Sequence, residues 1–116
     1  GHQGGDQVLR IVAFKLLKTL RPSDILARYG GEEFALILPH LGKQESITVA
    51  ERLRRIIEKE IIPFDEKEIK VTVSVGVSEI AKGYTAGELI KEADSALYMA
   101  KKEGRNCVKV FPPAQP

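Results

Sequence analysis

Apolar positions along the chain follow two periods. Val8, Ile11, Val12, Leu16 and Leu20 recur at helical spacing, which predicts a first helix over about residues 6–20. Asp6, after Gly4 and Gly5, is its expected N-cap, and Pro22 stops propagation. Residues 24–29 and 34–38 read as short strands with Gly30-Gly31-Glu32 between them, so a hairpin with a glycine turn is expected, closed by Pro39. Ile47, Ala50, Leu53 and Ile57 mark a second helix over about residues 43–60, with Arg52, Arg55 and Glu58 largely off its apolar stripe. Residues 69–78 alternate: Val71, Val73, Val75 and Val77 point one way, Thr72, Ser74, Gly76 and Ser78 the other. The small-residue face of this strand is expected to lie against a close neighbour. A third helix, about residues 86–103, opens on a Thr85/Glu88 capping box. Leu89, Ala93, Ala96, Leu97 and Ala100 form its seam, and Gly104 stops it. A short strand, 107–111, follows. This order predicts an α/β fold with a mixed β-sheet flanked by helices. A helix that opens the order with no strand before it raises the expectation of a further strand upstream.

Composition narrows the picture. The 116 residues suit one domain, read as 1–111, with 112–116 as a tail after Pro112 and Pro113. Hydrophobic residues at 43% and charged residues at 29% argue against disorder. Eighteen Lys and Arg against 16 Asp and Glu leave a net charge of +2, so nothing global favours nucleic acid or a membrane, and any anion site must be local. Cys107 is alone, which excludes an intrachain disulfide framework and a Cys-based zinc site. No apolar run approaches the ~20 residues of a membrane span, and no signal peptide is expected. A cytoplasmic domain is expected, within a parent protein that is free to be membrane-anchored.

Three places can carry chemistry. At Gly30-Gly31-Glu32-Glu33, glycines that can take positive φ and that remove side-chain bulk precede two acids. Such a turn can hold a divalent cation and admit a phosphate chain, or it can be a hairpin with solvated acids. Lys101, Lys102 and Arg105 near a helix end can clamp phosphate or simply complement the helix dipole. Arg21 and Asp24 can bracket a guanine and its phosphate, or form a local ion pair in a solvated turn. His2 reads as a structural or solvated residue, Cys107 as a core residue, and Tyr29 and Tyr98 as packing residues. No nucleophilic triad, Walker motif or dinucleotide fingerprint is present.

Taken in order, these segments resemble the GGDEF family of diguanylate cyclases. Ala27-Arg28-Tyr29 followed by Gly30-Gly31-Glu32-Glu33-Phe34 is similar to the family signature, and Gly1-His2-Gln3-Gly4-Gly5-Asp6 to its GHxxGD segment. Val73-Ser74-Val75-Gly76-Val77 resembles its SxGV strand. The run from Ala93 to Lys101 and Gly104-Arg105-Asn106 resemble its ADxALYxAK…GRN ending. The resemblance implies a palm-like fold shared with class III nucleotide cyclases and some polymerases. It implies condensation of two GTP into cyclic di-GMP with release of two pyrophosphates, each GTP held by one half of a homodimer. It implies Mg2+ or Mn2+ as cofactor, with Glu32 and Glu33 as metal-binding and catalytic acids. Gly30 and Gly31 would lie along the triphosphate, Asp6 would pair with the guanine edge, and Lys101 and Arg105 would contact phosphate. Arg21 and Asp24 match the family's RxxD product-inhibition site, with Arg52 as a secondary arginine from the adjoining subunit.

One departure accompanies the resemblance. The family's opening strand with its DxDxFK motif, and the Asn-Asp pair after it, have no counterpart in this sequence. The expectation is therefore a domain shortened at its N-terminus, making little or no cyclic di-GMP alone and prone to strand exchange at exposed sheet edges. A catalytically silent cyclic di-GMP receptor or dimerisation module is the alternative.

Overall fold

The computed structural model describes residues 2–112, with side chains from Gly4 onward. The tail beyond Pro112, Gly1, and the side chains of His2 and Gln3 in the GHxxGD segment lie outside the described residues. The chain divides into two compact units. One runs to His40 and resumes over Ile56–Val71; the other comprises Leu41–Arg55 and the chain from Thr72 onward.

The first unit holds helix α1 (His2–Thr19), strands β1 (Ile25–Arg28) and β2 (Phe34–Ile37), and strands β3 (Ile62–Phe64) and β4 (Lys67–Ile69). α1 begins at His2, so Asp6 is an exposed residue inside the helix and not its N-cap. Two glycines are poor helix formers, costing about 1 kcal/mol each. Tertiary packing outweighs this, since Gly4 is buried with the Phe64 ring 3.7 Å from where its Cβ would stand. Val12, Leu16, Ile57 and Ile62 are the buried apolar residues of this unit, and α1 packs on β3. β1 and β2 form the expected antiparallel hairpin, Ile25 opposite Ile37 through to Arg28 opposite Phe34. The β3–β4 hairpin is not legible in the hydrophobic pattern. Pro63 reads as a terminator, yet it sits in a strand, and Asp65 takes a left-handed φ of 54° to turn the chain between Phe64 and Lys67.

The second unit holds the start of α2 (Lys43–Lys59), β5 (Val75–Val77), α3 (Ala86–Lys102) and β6 (Val108–Val110). Ala50, Leu53, Val77, Ala96 and Ala100 are its buried apolar residues. α3 opens on the predicted capping box: the Glu88 N–H donates to Thr85 Oγ1 at 3.1 Å, and the Thr85 N–H to Glu88 Oε1 at 3.4 Å. The small face of the 69–78 segment does meet a close neighbour. A Cβ on Gly76 would stand 2.2 Å from the Ala93 carbonyl oxygen and 2.3 Å from the Leu97 nitrogen. Helix backbone therefore lies directly on the strand. Ser78 Oγ donates to the Leu89 carbonyl at 2.8 Å on the same face.

The mixed α/β architecture with three helices is as expected, but the pairing is finer-grained. The described strands form three two-stranded sheets, β1–β2 and β3–β4 antiparallel and β5–β6 parallel, in place of one. The predicted 69–78 strand shortens to β5 because only Val75, Gly76 and Val77 face partners, in Val108, Lys109 and Val110. Tyr29 and Tyr98, expected to pack, are 55% and 62% exposed. The Tyr98 ring instead lies beneath the Lys102 ammonium, 5.6 Å from its centroid.

Candidate active site on the glycine hairpin

The turn between β1 and β2 spans five residues, Tyr29 to Glu33. Two backbone donors close it: the N–H groups of Tyr29 and Gly30 both reach the Glu33 carbonyl, at 2.8 and 3.2 Å. Arg28 then ties the far side. Its Nε donates to the Gly30 carbonyl at 3.3 Å and its Nη2 to the Gly31 carbonyl. Sequence reasoning left Arg28 without a role, although its place two residues before the glycines is the signal.

Neither Gly30 nor Gly31 occupies the left-handed region; the positive-φ glycines among the described residues are Gly83 and Gly104. The conformational argument for the glycine pair therefore does not hold. Steric bareness is what remains. A Cβ on Gly31 would meet nothing within 4 Å, and one on Gly30 would touch Glu33 Oε2 at 3.4 Å. The fold itself can accommodate a side chain at Gly31, so the open space there is available to something outside the chain. Glu32 beside it is exposed and Glu33 is half-buried.

Those two carboxylates are the candidate metal ligands. Among the described residues, no three His, Cys, Asp or Glu side chains gather to hold a metal ion. The donor set fits magnesium, which commonly takes one or two carboxylates and fills its shell with water and phosphate oxygens.

A groove of about 540 Å³ runs beside the hairpin within the first unit. Leu9 and Leu17 of α1, with Leu26 and Phe34 of the hairpin, supply apolar wall, and Asp6, Arg10 and Arg28 supply polar groups. Asp6 and Arg10 are exposed, lie one helical turn apart, and have no hydrogen-bond or ion-pair partner among the described residues. Arg28 and Phe34, the last rung of the hairpin, belong to both the groove and the edge of the glycine turn. An apolar slot with a few convergent polar groups is the usual form of a small-molecule site.

Arg21 and Asp24 are brought together. The Arg21 guanidinium grips the Asp24 carboxylate through Nε at 3.0 Å and Nη2 at 2.6 Å, and the Arg21 backbone N–H adds a bond of 2.8 Å. Nη2 also reaches the Pro39 carbonyl at 2.8 Å. The guanidinium hydrogen bond holds the Asp24 carboxyl below the usual carboxylate range. Asp24 is covered while Arg21 stays 42% exposed, so the carboxylate acts as a fixed anchor for an outward-facing arginine.

Lys101, Arg105 and Arg52 belong to the second unit. Lys101 is half-buried in the last turn of α3. Past it the chain turns through Gly104, Arg105 and Asn106 with φ of 109°, 65° and 48°. The Arg105 N–H returns to the Ala100 carbonyl at 2.9 Å, a Schellman closure, leaving its side chain exposed. Two successive non-glycine residues in the left-handed region need outside support. Asn106 receives it: its N–H donates to Ser74 Oγ at 3.1 Å, and its Oδ1 accepts from Arg54 Nη1 at 2.9 Å. Arg54 is braced in turn by Glu51, at 3.3 and 3.2 Å, and the same bonds hold the Glu51 carboxyl low. Arg54 is a second residue that sequence reasoning passed over, and its neighbour Arg52 is exposed. Cys107 is half-buried with Sγ 3.5 Å from the Ala100 carbonyl. Among the described residues, no helix is long and apolar enough to cross a membrane.

Comparisons with known proteins place the chain in a family and a fold. Residues 1–107 match the family model described as "Diguanylate cyclase, GGDEF domain". Diguanylate cyclase A of Treponema denticola is 42% identical over 109 residues, covering 93% of this chain and 29% of the relative. The chain thus spans less than a third of that relative's length. Among solved structures, the GGDEF domain of DgcB from Caulobacter crescentus in complex with c-di-GMP is 36% identical with a TM-score of 0.90, over 95% of this chain and 66% of that one. The active GGEEF domain of a diguanylate cyclase from Vibrio cholerae is 29% identical with a TM-score of 0.88, over 98% and 72%. With the signature hairpin folded and a family match over residues 1–107, this chain belongs to the GGDEF family of diguanylate cyclase domains.

Proposed function

We propose that this chain forms the nucleotide-holding part of a diguanylate cyclase, which condenses two GTP into cyclic di-GMP and two pyrophosphates as a two-fold dimer. The observation that carries the reading is the hairpin: a turn tied by Arg28, open at Gly31, with two carboxylates beside the opening. Asp6 accepts from the N1–H and N2–H donors of guanine in the apolar groove. The bare face of Gly30 and Gly31 lets the triphosphate run along the turn. Glu32 and Glu33 would hold magnesium or manganese, which when bound would supply neutralisation of phosphate charge. Lys101 and Arg105 bind phosphate oxygens, Arg105 by its planar fork and Lys101 as a point charge. The intact acid pair favours an enzyme over a silent receptor, and an active relative also carries the GGEEF form.

The decisive experiment titrates GTP into the protein with and without magnesium. Metal-dependent binding supports the reading, and indifference to both overturns it. Gly31→Ala is expected to leave stability within about 0.5 kcal/mol of the parent, because its Cβ meets open space. The same substitution is expected to weaken magnesium-dependent GTP binding several-fold in that titration.

Arg21 and Asp24 are proposed as the product-inhibition site, with Arg52 as the contribution of an adjoining subunit. The bidentate Asp24 anchor supports this by presenting Arg21 in one orientation. Arg21→Ala is expected to lower cyclic di-GMP affinity at least tenfold by calorimetry while leaving GTP binding intact. Unchanged cyclic di-GMP binding removes the assignment.

A further inference from the structure

The groove contains one cationic group that nothing above employs. Arg28 also lines it, but its guanidinium is spent on the Gly30 and Gly31 carbonyls. Arg10 has no such engagement: it lines the same groove, is exposed, and has no hydrogen-bond or ion-pair partner among the described residues. It sits four residues after Asp6, so both project from one face of α1, a helical turn or about 6 Å apart along the axis. The two do not neutralise one another in an ion pair, which leaves a carboxylate acceptor and a guanidinium donor side by side above an apolar wall.

Guanine presents the complementary pair. Its N1–H and N2–H donors lie along one edge, and the acceptors O6 and N7 continue around the ring from N1. A guanidinium fork matches O6 and N7 in a bidentate contact, the commonest specific contact that proteins make to guanine. Adenine offers an amino donor where guanine has O6, so the same arginine would face it donor to donor. We infer that Arg10 is a specificity-determining residue that donates to guanine O6 and N7 while Asp6 accepts from N1 and N2, so that one turn of α1 reads two edges of the base. This deepens the proposed GTP site and rests on that reading.

The test uses 7-deaza-GTP, which lacks only the N7 acceptor, alongside GTP, by calorimetry at fixed magnesium on the parent protein, Arg10→Ala and Arg10→Lys. The parent is expected to bind 7-deaza-GTP roughly tenfold more weakly than GTP, in line with one lost base contact. Arg10→Ala is expected to bind both equally and more weakly than the parent binds the deaza analogue, because the O6 contact is lost as well, and Arg10→Lys to recover part of the difference. Because Arg10 is exposed, the variants should melt with the parent, which separates lost recognition from lost fold. GTP binding with no penalty for the deaza analogue, or a penalty that survives Arg10→Ala, overturns the assignment of Arg10 alone. Absence of GTP binding by the parent overturns the GTP reading and this inference with it.

Discussion

Gly76→Ala is expected to destabilise the protein by at least about 3 kcal/mol, a fall in melting midpoint of roughly 10–20 °C. The added methyl would overlap the Ala93 carbonyl oxygen at 2.2 Å and the Leu97 nitrogen at 2.3 Å. Both are backbone atoms in the middle of α3, so no side-chain rotation relieves the clash. The helix must lift from β5, and that separation uncovers Ala96, Ala100 and Val77. Ser78 Oγ would also lose its bond to the Leu89 carbonyl. Gly87→Ala on the same helix is the control. Its Cβ would stand 3.8 Å from Thr85 Oγ1, an ordinary contact, and the change should be neutral or stabilising by up to about 1 kcal/mol in a urea melt. Equal stability of the two variants would contradict the packing described here.

Glu33→Gln is expected to lower the rate of cyclic di-GMP formation by at least about 100-fold wherever the domain is assayed in active form, the scale for removing one group that supports charge in a transition state. The amide keeps the carboxylate's shape but is a much weaker ligand for a hard cation. Glu33 is half-buried and its carbonyl closes the turn through the backbone, a bond that the substitution leaves alone. Folding should therefore survive. Product formation followed by chromatography, together with a melting curve, separates the two effects. Retention of most of the activity would remove Glu33 from the chemistry.

Local signals in the sequence were enough for the elements whose ends are chemically marked. Thr85 and Glu88 announce the start of α3 and Gly104 its end, and both appear where the spacing puts them. The alternation from Val71 to Ser78 located the face that α3 covers, even though the ladder holds only three of those residues. The glycine hairpin and its paired acids were legible for the same reason. What escaped depends on partners far along the chain. Gly4 and Gly5 look like a helix boundary until Phe64 is seen over Gly4. Arg54 looks like a solvated helix residue until Asn106, 52 positions later, is found on its guanidinium. Pro63 looks like a terminator because a proline's tolerance depends on whether its missing N–H faces a partner. Of the two properties read into Gly30 and Gly31, open space beside the backbone is present at Gly31 and positive φ is not, since dihedral demand and bareness leave the same mark in a sequence.

The choice of arginine for the tie across the glycine turn has a practical consequence. The guanidinium reaches the Gly30 and Gly31 carbonyls through two separate nitrogens held in one rigid plane, a fork that a lysine ammonium does not reproduce. The order of the loop therefore rests on the shape of this side chain as well as on its charge, and a charge-conserving exchange at Arg28 would slacken the turn while leaving the local field almost as it was.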